Sequence, residues 1–279
     1  MTETAQAFAP GHVTGFFTVD RAEDPTVAGS RGAGVTLADG VSVTVEAETD
    51  PGVWLNGDRV DIEAVSRVCS ALEADVTVRG DTDLPVGAGF GVSGAMALGT
   101  AIAATDLLDR PLSERELETV AHGAEVQSGT GLGDVVAQAR GGMPIRLEPG
   151  GPHENDMDGI PARPRVEFVS MGQLATDDIL ATADEGLTAA GERALSRLVA
   201  RPTADEFMRA SRQFSRESGL LTDAVRDVVE SVTDAGGEAS MAMLGETVFA
   251  LGTGLTDAGY DPTVSRVHPG GATLRGPAR

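Results

Sequence analysis

The 279-residue sequence contains no lysine, and it has only one cysteine, one tryptophan and one tyrosine. The lone Cys69 excludes an internal disulfide, and its apolar helical surroundings indicate a small buried residue. No apolar run approaches the roughly 18 residues that a membrane-spanning helix needs, and the first residues lack the basic and apolar segments of a signal peptide. These absences predict a soluble, cytoplasmic protein with no membrane partner.

Positive charge is also scarce, because 21 arginines face 43 acidic residues and leave a net charge of −22. The acidic residues are spread over both ends and the middle of the chain, so they do not form a disordered tail. Such a charge disfavours binding to nucleic acid. The composition is typical of halophilic proteins, whose self-repulsion is screened at high ionic strength; a basic partner is the alternative explanation.

The most informative stretch runs from Asp81 to Leu108, where a turn-rich loop opens into an alanine-rich helix. Its glycines can adopt positive φ angles and approach another group closely, and Ser93 is placed to cap the helix. A loop of this kind directs free N–H groups and a helix N-terminus at one point, which favours a phosphate. A glycine-rich turn before a core helix is the structural alternative. The glycines are Gly87, Gly89, Gly91 and Gly94.

Two common phosphate-binding motifs fit this stretch poorly. Residues 89–94 match G-x-G-x-x-G, but a capping box, Ser113-x-x-Glu116, predicts another helix where a dinucleotide-binding fold needs a strand. The motif G-x-x-x-x-G-K-[ST] is excluded because the chain has no lysine.

The segment Pro85-x-Gly-x-Gly-Phe-Gly-Val-Ser-Gly-Ala95 resembles the phosphate loop of the GHMP kinases, the superfamily of galactokinase, homoserine kinase and mevalonate kinase. Phe90 replaces the usual leucine, and Ser93 is the only hydroxyl where the superfamily has two. The resemblance implies that the loop binds ATP and that Ser93 also holds Mg²⁺. The implied ATP-binding residues are Pro85, Gly87, Gly89, Gly91, Ser93, Gly94 and Ala95.

Three further stretches resemble the same superfamily, in the same order. Ala-Pro-Gly at 9–11 precedes His12, where a basic residue is usual, and we assign His12 no catalytic role. Gly-x-Gly-x-x-Asp at 129–134 implies that Asp134 is the catalytic residue beside the acceptor hydroxyl, although an aspartate here could simply cap a helix. Glu125 is the implied second ligand of Mg²⁺. The glycine-rich segment 236–250 resembles the motif that supports the phosphate loop.

The segment Gly-Ser-Arg-Gly-Ala-Gly at 29–34 resembles the pantoate kinases, an archaeal branch of the superfamily. The resemblance implies binding of a small anionic substrate, pantoate, through several polar side chains. Taken singly, Arg31 could be a turn residue, Arg146 an exposed strand-edge residue and Thr176 a helix cap. The candidate substrate-binding residues are Ser30, Arg31, His122, Arg146 and Thr176.

The resemblance implies an α+β, two-domain GHMP kinase fold. Residues 1–155 would form the N-terminal, ribosomal-protein-S5-domain-2-like, ATP-binding domain, and residues 156–279 a ferredoxin-like α/β domain. The implied reaction is the ATP- and Mg²⁺-dependent phosphorylation of pantoate to 4-phosphopantoate, a step toward coenzyme A, and the fold often forms homodimers. The alternatives are a kinase of homoserine, mevalonate or shikimate, and a non-catalytic nucleotide or metabolite sensor.

Local patterns predict the elements that surround these motifs. Asn56-Gly57 predicts a hairpin, and apolar periodicity predicts a helix over 62–74. Further strands are predicted at 41–46, 76–78, 143–147 and 166–170, and further helices at 189–199, 203–217 and 220–234.

Overall fold

The structure, a computed structural model, describes residues 4–47, 51–173 and 185–276. The eight strands of the first sheet are β1 (Thr4–Phe17), β2 (Gly32–Glu46), β3 (Gly52–Leu55), β4 (Asp58–Arg59), β5 (Thr77–Asp81), β6 (Met143–Arg146), β7 (Met157–Ile160) and β12 (Thr273–Arg275). The second sheet consists of β8 (Arg165–Gln173), β9 (Ala239–Ala242), β10 (Gly245–Leu251) and β11 (Thr263–Arg266). The helices are α1 (Glu63–Ala71), α2 (Val92–Leu107), α3 (Glu114–Ser128), α4 (Asp134–Arg140), α5 (Glu185–Ala200), α6 (Ala204–Glu217), α7 (Asp223–Asp234) and α8 (Gly254–Asp257).

The first sheet has the strand order β12-β1-β2-β5-β3-β4, with β6 paired to β2 and β7 paired to β6. The long β1–β2 pair is antiparallel, and β1 continues through Pro10 and Gly11 with register shifts there and between Thr14 and Phe16, as at β-bulges. Helix α2 packs on these two strands and against α1 and α3. Twelve of its sixteen residues are buried, as expected for a helix that lies between a sheet and other helices.

The second sheet is antiparallel, with the strand order β11-β8-β10-β9, and α6 joins it to the first sheet. Phe207 and Phe214 of α6 are fully buried. Their rings lie 6.3 Å from Phe16 and 5.5 Å from Phe17, respectively, between ring centroids. The two sheets therefore share one apolar core around the end of β1.

The local predictions hold with shifted ends. The hairpin between β3 and β4 turns at Asn56 and Gly57, whose φ angles of 52° and 88° are those of a type I′ turn. The capping box at Ser113 is confirmed, since both of its reciprocal hydrogen bonds are present. The last predicted helix begins at Asp223 rather than at 220, because the Thr222 side chain caps it.

The predicted boundary between 155 and 156 falls in the connection between β6 and β7, which pair with each other in the first sheet. β12 also returns to pair with β1. The first sheet therefore contains strands from both sides of the boundary, and the division into 1–155 and 156–279 stays a prediction. Within the described residues, no helix is both long and apolar enough to cross a membrane.

Candidate active site

The glycine-rich loop connects the end of β5 to the start of α2. Gly87, Gly89 and Gly91 have φ angles of 73°, 86° and 63°, a region that strongly favours glycine. Gly94 and Ala95 instead lie within the first turn of α2, and the Ala95 N–H already donates to the Gly91 carbonyl. The loop therefore turns on three of its four glycines and presents the N-terminus of a long helix, the arrangement that binds phosphate.

Ser93 does not cap α2, so that expectation was wrong. The N-cap residue is Gly91, in a left-handed conformation, so the first turn of α2 has no side-chain cap. The Ser93 hydroxyl donates instead to Glu125 Oε2 at 3.1 Å. Ser93 is thereby held facing the loop cavity, where a ligand can reach its oxygen.

Phe90, the residue that replaces leucine, connects the loop to a strand of each sheet. Its ring is buried and lies 4.6 Å from that of Phe168 in β8. Its carbonyl oxygen accepts a hydrogen bond of 3.0 Å from the His12 N–H of β1. The substitution thus keeps the apolar role of the position.

A cavity of about 220 Å³ lies over this loop. The turn between β9 and β10 closes one side, and a Cβ atom added to Gly245 would lie well inside 3.0 Å of the Ala88 carbonyl. The Thr247 hydroxyl donates to the same carbonyl at 2.9 Å. The cavity is lined by Thr14, Val86, Gly87, Gly89, Phe90, Gly91, Val92, Ser93, Glu125, Thr130, Asp134, Met243 and Leu244.

Asp134 begins α4 and faces this cavity. Gly133 is the N-cap residue, so Asp134 is not the simple cap that its residue type allowed. Asp134 Oδ1 lies 2.7 Å from His12 Nδ1. Burial raises the pKa of Asp134, but the hydrogen bond from His12 and the charge of Arg146 outweigh this effect, so the pKa lies below its ordinary value. The carboxylate is therefore ionised at neutral pH and can accept a proton or a hydrogen bond.

Glu125 lies one turn of α3 from His122 and is almost fully buried. Burial, with a further contribution from the Asp134 carboxylate, raises the pKa of Glu125 to about 7. The oxygens of Ser93, Thr130 and Glu125 gather here, and oxygen is the ligand that Mg²⁺ prefers. The described residues hold no group of three or more His, Cys, Asp or Glu placed for a metal ion. A cation at this point would therefore need phosphate oxygens to complete its shell.

Arg146 is buried, which overturns the alternative of an exposed strand-edge arginine. Its Nε donates to the Ser30 carbonyl at 3.1 Å, while its Nη1 has no hydrogen-bond partner among the described residues. Burial lowers the pKa of Arg146 to about 10, although the Asp134 carboxylate acts in the opposite direction. A Cβ atom at Gly133 would contact both Ser30 Oγ and Arg146 Nε, so these groups meet beside Asp134. A buried guanidinium with a free donor is suited to bind an anion.

The other candidates for substrate binding are placed differently. Arg31 Nη2 bonds to Glu192 at 2.9 Å and to Asp20 at 3.4 Å, because successive residues of an extended chain point in opposite directions and Ser30 already faces Arg146. His122 is buried, with Nε2 placed 2.9 Å from the Ala28 carbonyl. Thr176 lies outside the described residues.

Sequence reasoning missed three residues of this site. His12, in β1, contacts Asp134 across 122 positions of sequence. Thr130, whose hydroxyl contacts Ser93 at 3.5 Å, stands between two glycines that leave it accessible. Gln138 donates to the Gly91 carbonyl at 2.8 Å and follows Asp134 by four residues, so the two share one face of α4. The glycines on both sides of Thr130 and the four-residue spacing of Asp134 and Gln138 were visible in the sequence, whereas the partner of His12 was not.

Comparison with known proteins agrees with this geometry. Residues 61–142 match the family described as GHMP kinases N terminal domain. The chain is 34% identical over 252 residues to a pantoate kinase of Methanocaldococcus jannaschii, covering 88% of this chain and 91% of that one. It is 36% identical over 255 residues to a pantoate kinase of Methanospirillum hungatei, covering 88% and 86%, respectively.

A solved structure described as a phosphotransferase related to the CoA biosynthesis pathway superposes with a TM-score of 0.86 at 30% identity. The superposition covers 98% of each chain, so the likeness includes both sheets and the loop between β5 and α2. The chain belongs to the pantoate kinase family of the GHMP kinases.

Proposed function

We propose that this protein is an ATP-dependent kinase that phosphorylates pantoate to 4-phosphopantoate. The observation that carries the proposal is the placement of three groups. The phosphate loop and the ionised Asp134 face one cavity, and the buried Arg146, whose Nη1 has no partner among the described residues, lies beside Asp134. A phosphate donor, a proton acceptor and an anion-binding group are the parts that a kinase of a small hydroxy acid needs. The relatives named above have this activity in their names.

ATP would bind with its phosphates against the loop, whose turning glycines and helix N-terminus supply N–H donors. Ser93 and Glu125 would hold Mg²⁺, and the residues fit the ion because a buried carboxylate and two hydroxyls face the same cavity. When bound, Mg²⁺ offsets the negative charge of the phosphate oxygens. The proposed ATP-binding residues also include Pro85, Gly94 and Ala95.

Asp134 would orient the primary hydroxyl of pantoate and accept its proton. Its pKa lies below the ordinary range, so it is a weak base, and its main contribution would be to position the hydroxyl toward the phosphate loop. This suits a reaction whose transition state is loose and depends mostly on positioning and electrostatics.

Arg146, Ser30 and His122 would bind the carboxylate and secondary hydroxyl of pantoate. A carboxylate beside Arg146 would accept a hydrogen bond from Nη1, which has no partner among the described residues, and would add its negative charge to that of Asp134. Arg31 and Thr176 complete the proposed set, with Arg31 requiring release from Glu192 to reach a substrate.

We place this activity in the cytoplasm, where ATP and its small acceptor are found, and at high salt, since the net charge of −22 requires screening. The same charge is the reason to exclude nucleic acid as a partner. A homodimer stays a prediction.

The test is release of ADP in molar salt with ATP and Mg²⁺, across pantoate, homoserine, mevalonate and shikimate. Turnover with pantoate alone, reduced by roughly 100-fold or more in Asp134→Asn while ATP affinity is kept, is the expected result. Turnover with a different acceptor would keep the kinase and replace the substrate. ATP binding without turnover on any acceptor would favour a sensor.

A further inference from the structure

His12 makes two contacts that join the halves of the proposed site. Its backbone N–H donates to the Phe90 carbonyl of the phosphate loop at 3.0 Å. Its ring nitrogen Nδ1 lies 2.7 Å from Asp134 Oδ1. One residue of β1 therefore contacts both the loop that faces the phosphate donor and the carboxylate that faces the acceptor.

The ring of His12 is fully buried and closely enclosed. On the neighbouring strand, a Cβ atom added to Gly34 would lie well inside 3.0 Å of His12 Nε2 and of the Val13 carbonyl oxygen, and 2.8 Å from His12 Cε1. Gly34 has no positive φ angle, so the backbone conformation does not require glycine there. The absence of a side chain at position 34 makes room for the imidazole.

The hydrogen bonds of the ring indicate how it acts. His12 Nε2 is buried and has no hydrogen-bond partner among the described residues, while Nδ1 faces a carboxylate oxygen that can only accept. The proton therefore belongs on Nδ1. Burial lowers the pKa of His12 against the opposing effect of Asp134, which favours the neutral ring. A neutral Nδ1–H donor orients Asp134 without adding a full positive charge.

We infer that His12 is a positioning residue that fixes the Asp134 carboxylate relative to the phosphate loop, leaving the second carboxylate oxygen for the acceptor hydroxyl. The inference rests on the proposed function and adds a residue to its machinery. Asp134 Oδ1 is occupied by His12, whereas Oδ2 lies on the side of Gly131 and Glu125. Because positional errors near 1 Å can cost about 100-fold in rate, an enzyme whose Asp134 carboxylate is not held in place should turn over slowly.

The experiment compares His12→Asn with His12→Phe in the full chain at molar salt. Asparagine can place an N–H donor near the position of Nδ1, whereas phenylalanine keeps an aromatic ring and removes the donor. We expect His12→Phe to lower kcat by roughly 100-fold, with the affinities for ATP and pantoate within about threefold of wild type. His12→Asn should restore kcat to within about tenfold of wild type.

Gly34→Ala tests the same inference without changing the histidine. The added methyl group should displace the ring and lower kcat. The loss should be smaller in a His12→Ala background, where the imidazole is gone and the contact with the Val13 carbonyl oxygen remains. Thr36→Val is the matched control, because Thr36 is the partner of His12 in the β1–β2 pair but its hydroxyl donates to the Gly142 and His268 carbonyls, outside those strands. It should reduce stability and leave kcat unchanged.

Two results would overturn the inference: wild-type kcat in a folded His12→Phe protein, or equal losses in the Asn and Phe variants, which would indicate packing alone. A wild-type protein with no pantoate turnover would instead refute the proposed function. In that case crystal structures of the two variants would still test the role of His12. The inference requires the Asp134 carboxylate to rotate in His12→Phe and to stay in place in His12→Asn.

Discussion

Because the guanidinium of Arg146 is buried, we expect Arg146→Met to weaken pantoate binding while changing the free energy of unfolding little. Burial lowers the pKa of this group from its ordinary value to about 10. At 1.36 kcal/mol per pKa unit, the charged form is disfavoured by roughly 3 kcal/mol. Methionine fills a similar apolar space without that cost, but it loses the hydrogen bond to the Ser30 carbonyl and leaves that acceptor unpaired, at about 1–3 kcal/mol. The two effects nearly cancel, so the free energy of unfolding should change by no more than about 2 kcal/mol.

The assay is urea unfolding in molar KCl, with and without pantoate at about 100 times its dissociation constant. The wild-type protein should gain about 2.7 kcal/mol from the ligand. Arg146→Met should gain less than about 1 kcal/mol at the same concentration, because the counter-charge for the carboxylate is gone. Its stabilisation by ATP should be unchanged, since Arg146 is not among the residues that line the loop cavity.

Arg67→Met is the matched control, because Arg67 is partly exposed and, within the described part of the chain, bonds to the Glu63 and Gln127 side chains. It should change the free energy of unfolding by less than about 1 kcal/mol and keep the full gain from pantoate. A loss above about 3 kcal/mol in unliganded Arg146→Met would mean that the buried charge stabilises the fold. An undiminished gain from pantoate in that variant would remove Arg146 from the substrate site.

Two further substitutions test other parts of the structure. Gly245→Ala should weaken ATP binding, measured by calorimetry, by about tenfold or more, because its Cβ displaces the Ala88 backbone of the loop. Gly270→Ala is the control, since its Cβ would lie in open space, and it should bind ATP normally. Equal ATP affinities of the two variants would contradict the role of the Gly245 contact. Burial raises the pKa of Glu118 to about 7, so its ionisation lowers stability as pH rises from about 4.5 to 7. Glu118→Gln should therefore unfold in urea like wild type near pH 4.5 and be more stable at pH 8, by at most roughly 3 kcal/mol; a difference independent of pH would refute this.

Much of the phosphate loop was predictable because its constraints are local. Positive φ angles at Gly87, Gly89 and Gly91 require glycine, and the sequence places glycine there. Asn56-Gly57 and the Ser113 capping box are likewise short-range features whose chemistry involves only a few consecutive residues. Where the neighbours in sequence are also the neighbours in space, residue type alone predicted the conformation.

The rest depended on burial and on distant pairing, which residue type does not reveal. Arg31 and Arg146 were equivalent candidates. Arg31 bonds to carboxylates of its own chain, whereas Arg146 is buried and its Nη1 has no partner in the described ranges. His12 was set aside because a lone histidine carries no signal of a partner 122 residues away. Ser93 was predicted as a cap because serine prefers that position, but the left-handed Gly91 occupies it.

The pairing of β12 with β1 determines when this molecule can finish folding. Residues 273–275 form the edge of a sheet whose adjacent strand is residues 4–17, so a contact spanning more than 250 positions completes it. Loops of that length close slowly, and folding rates fall as contacts become more distant in sequence. During synthesis, β1 would therefore wait with one edge unpaired until nearly the whole chain has emerged. An exposed strand edge is a route to aggregation, and the acidic surface of this protein would oppose it by keeping nascent chains apart.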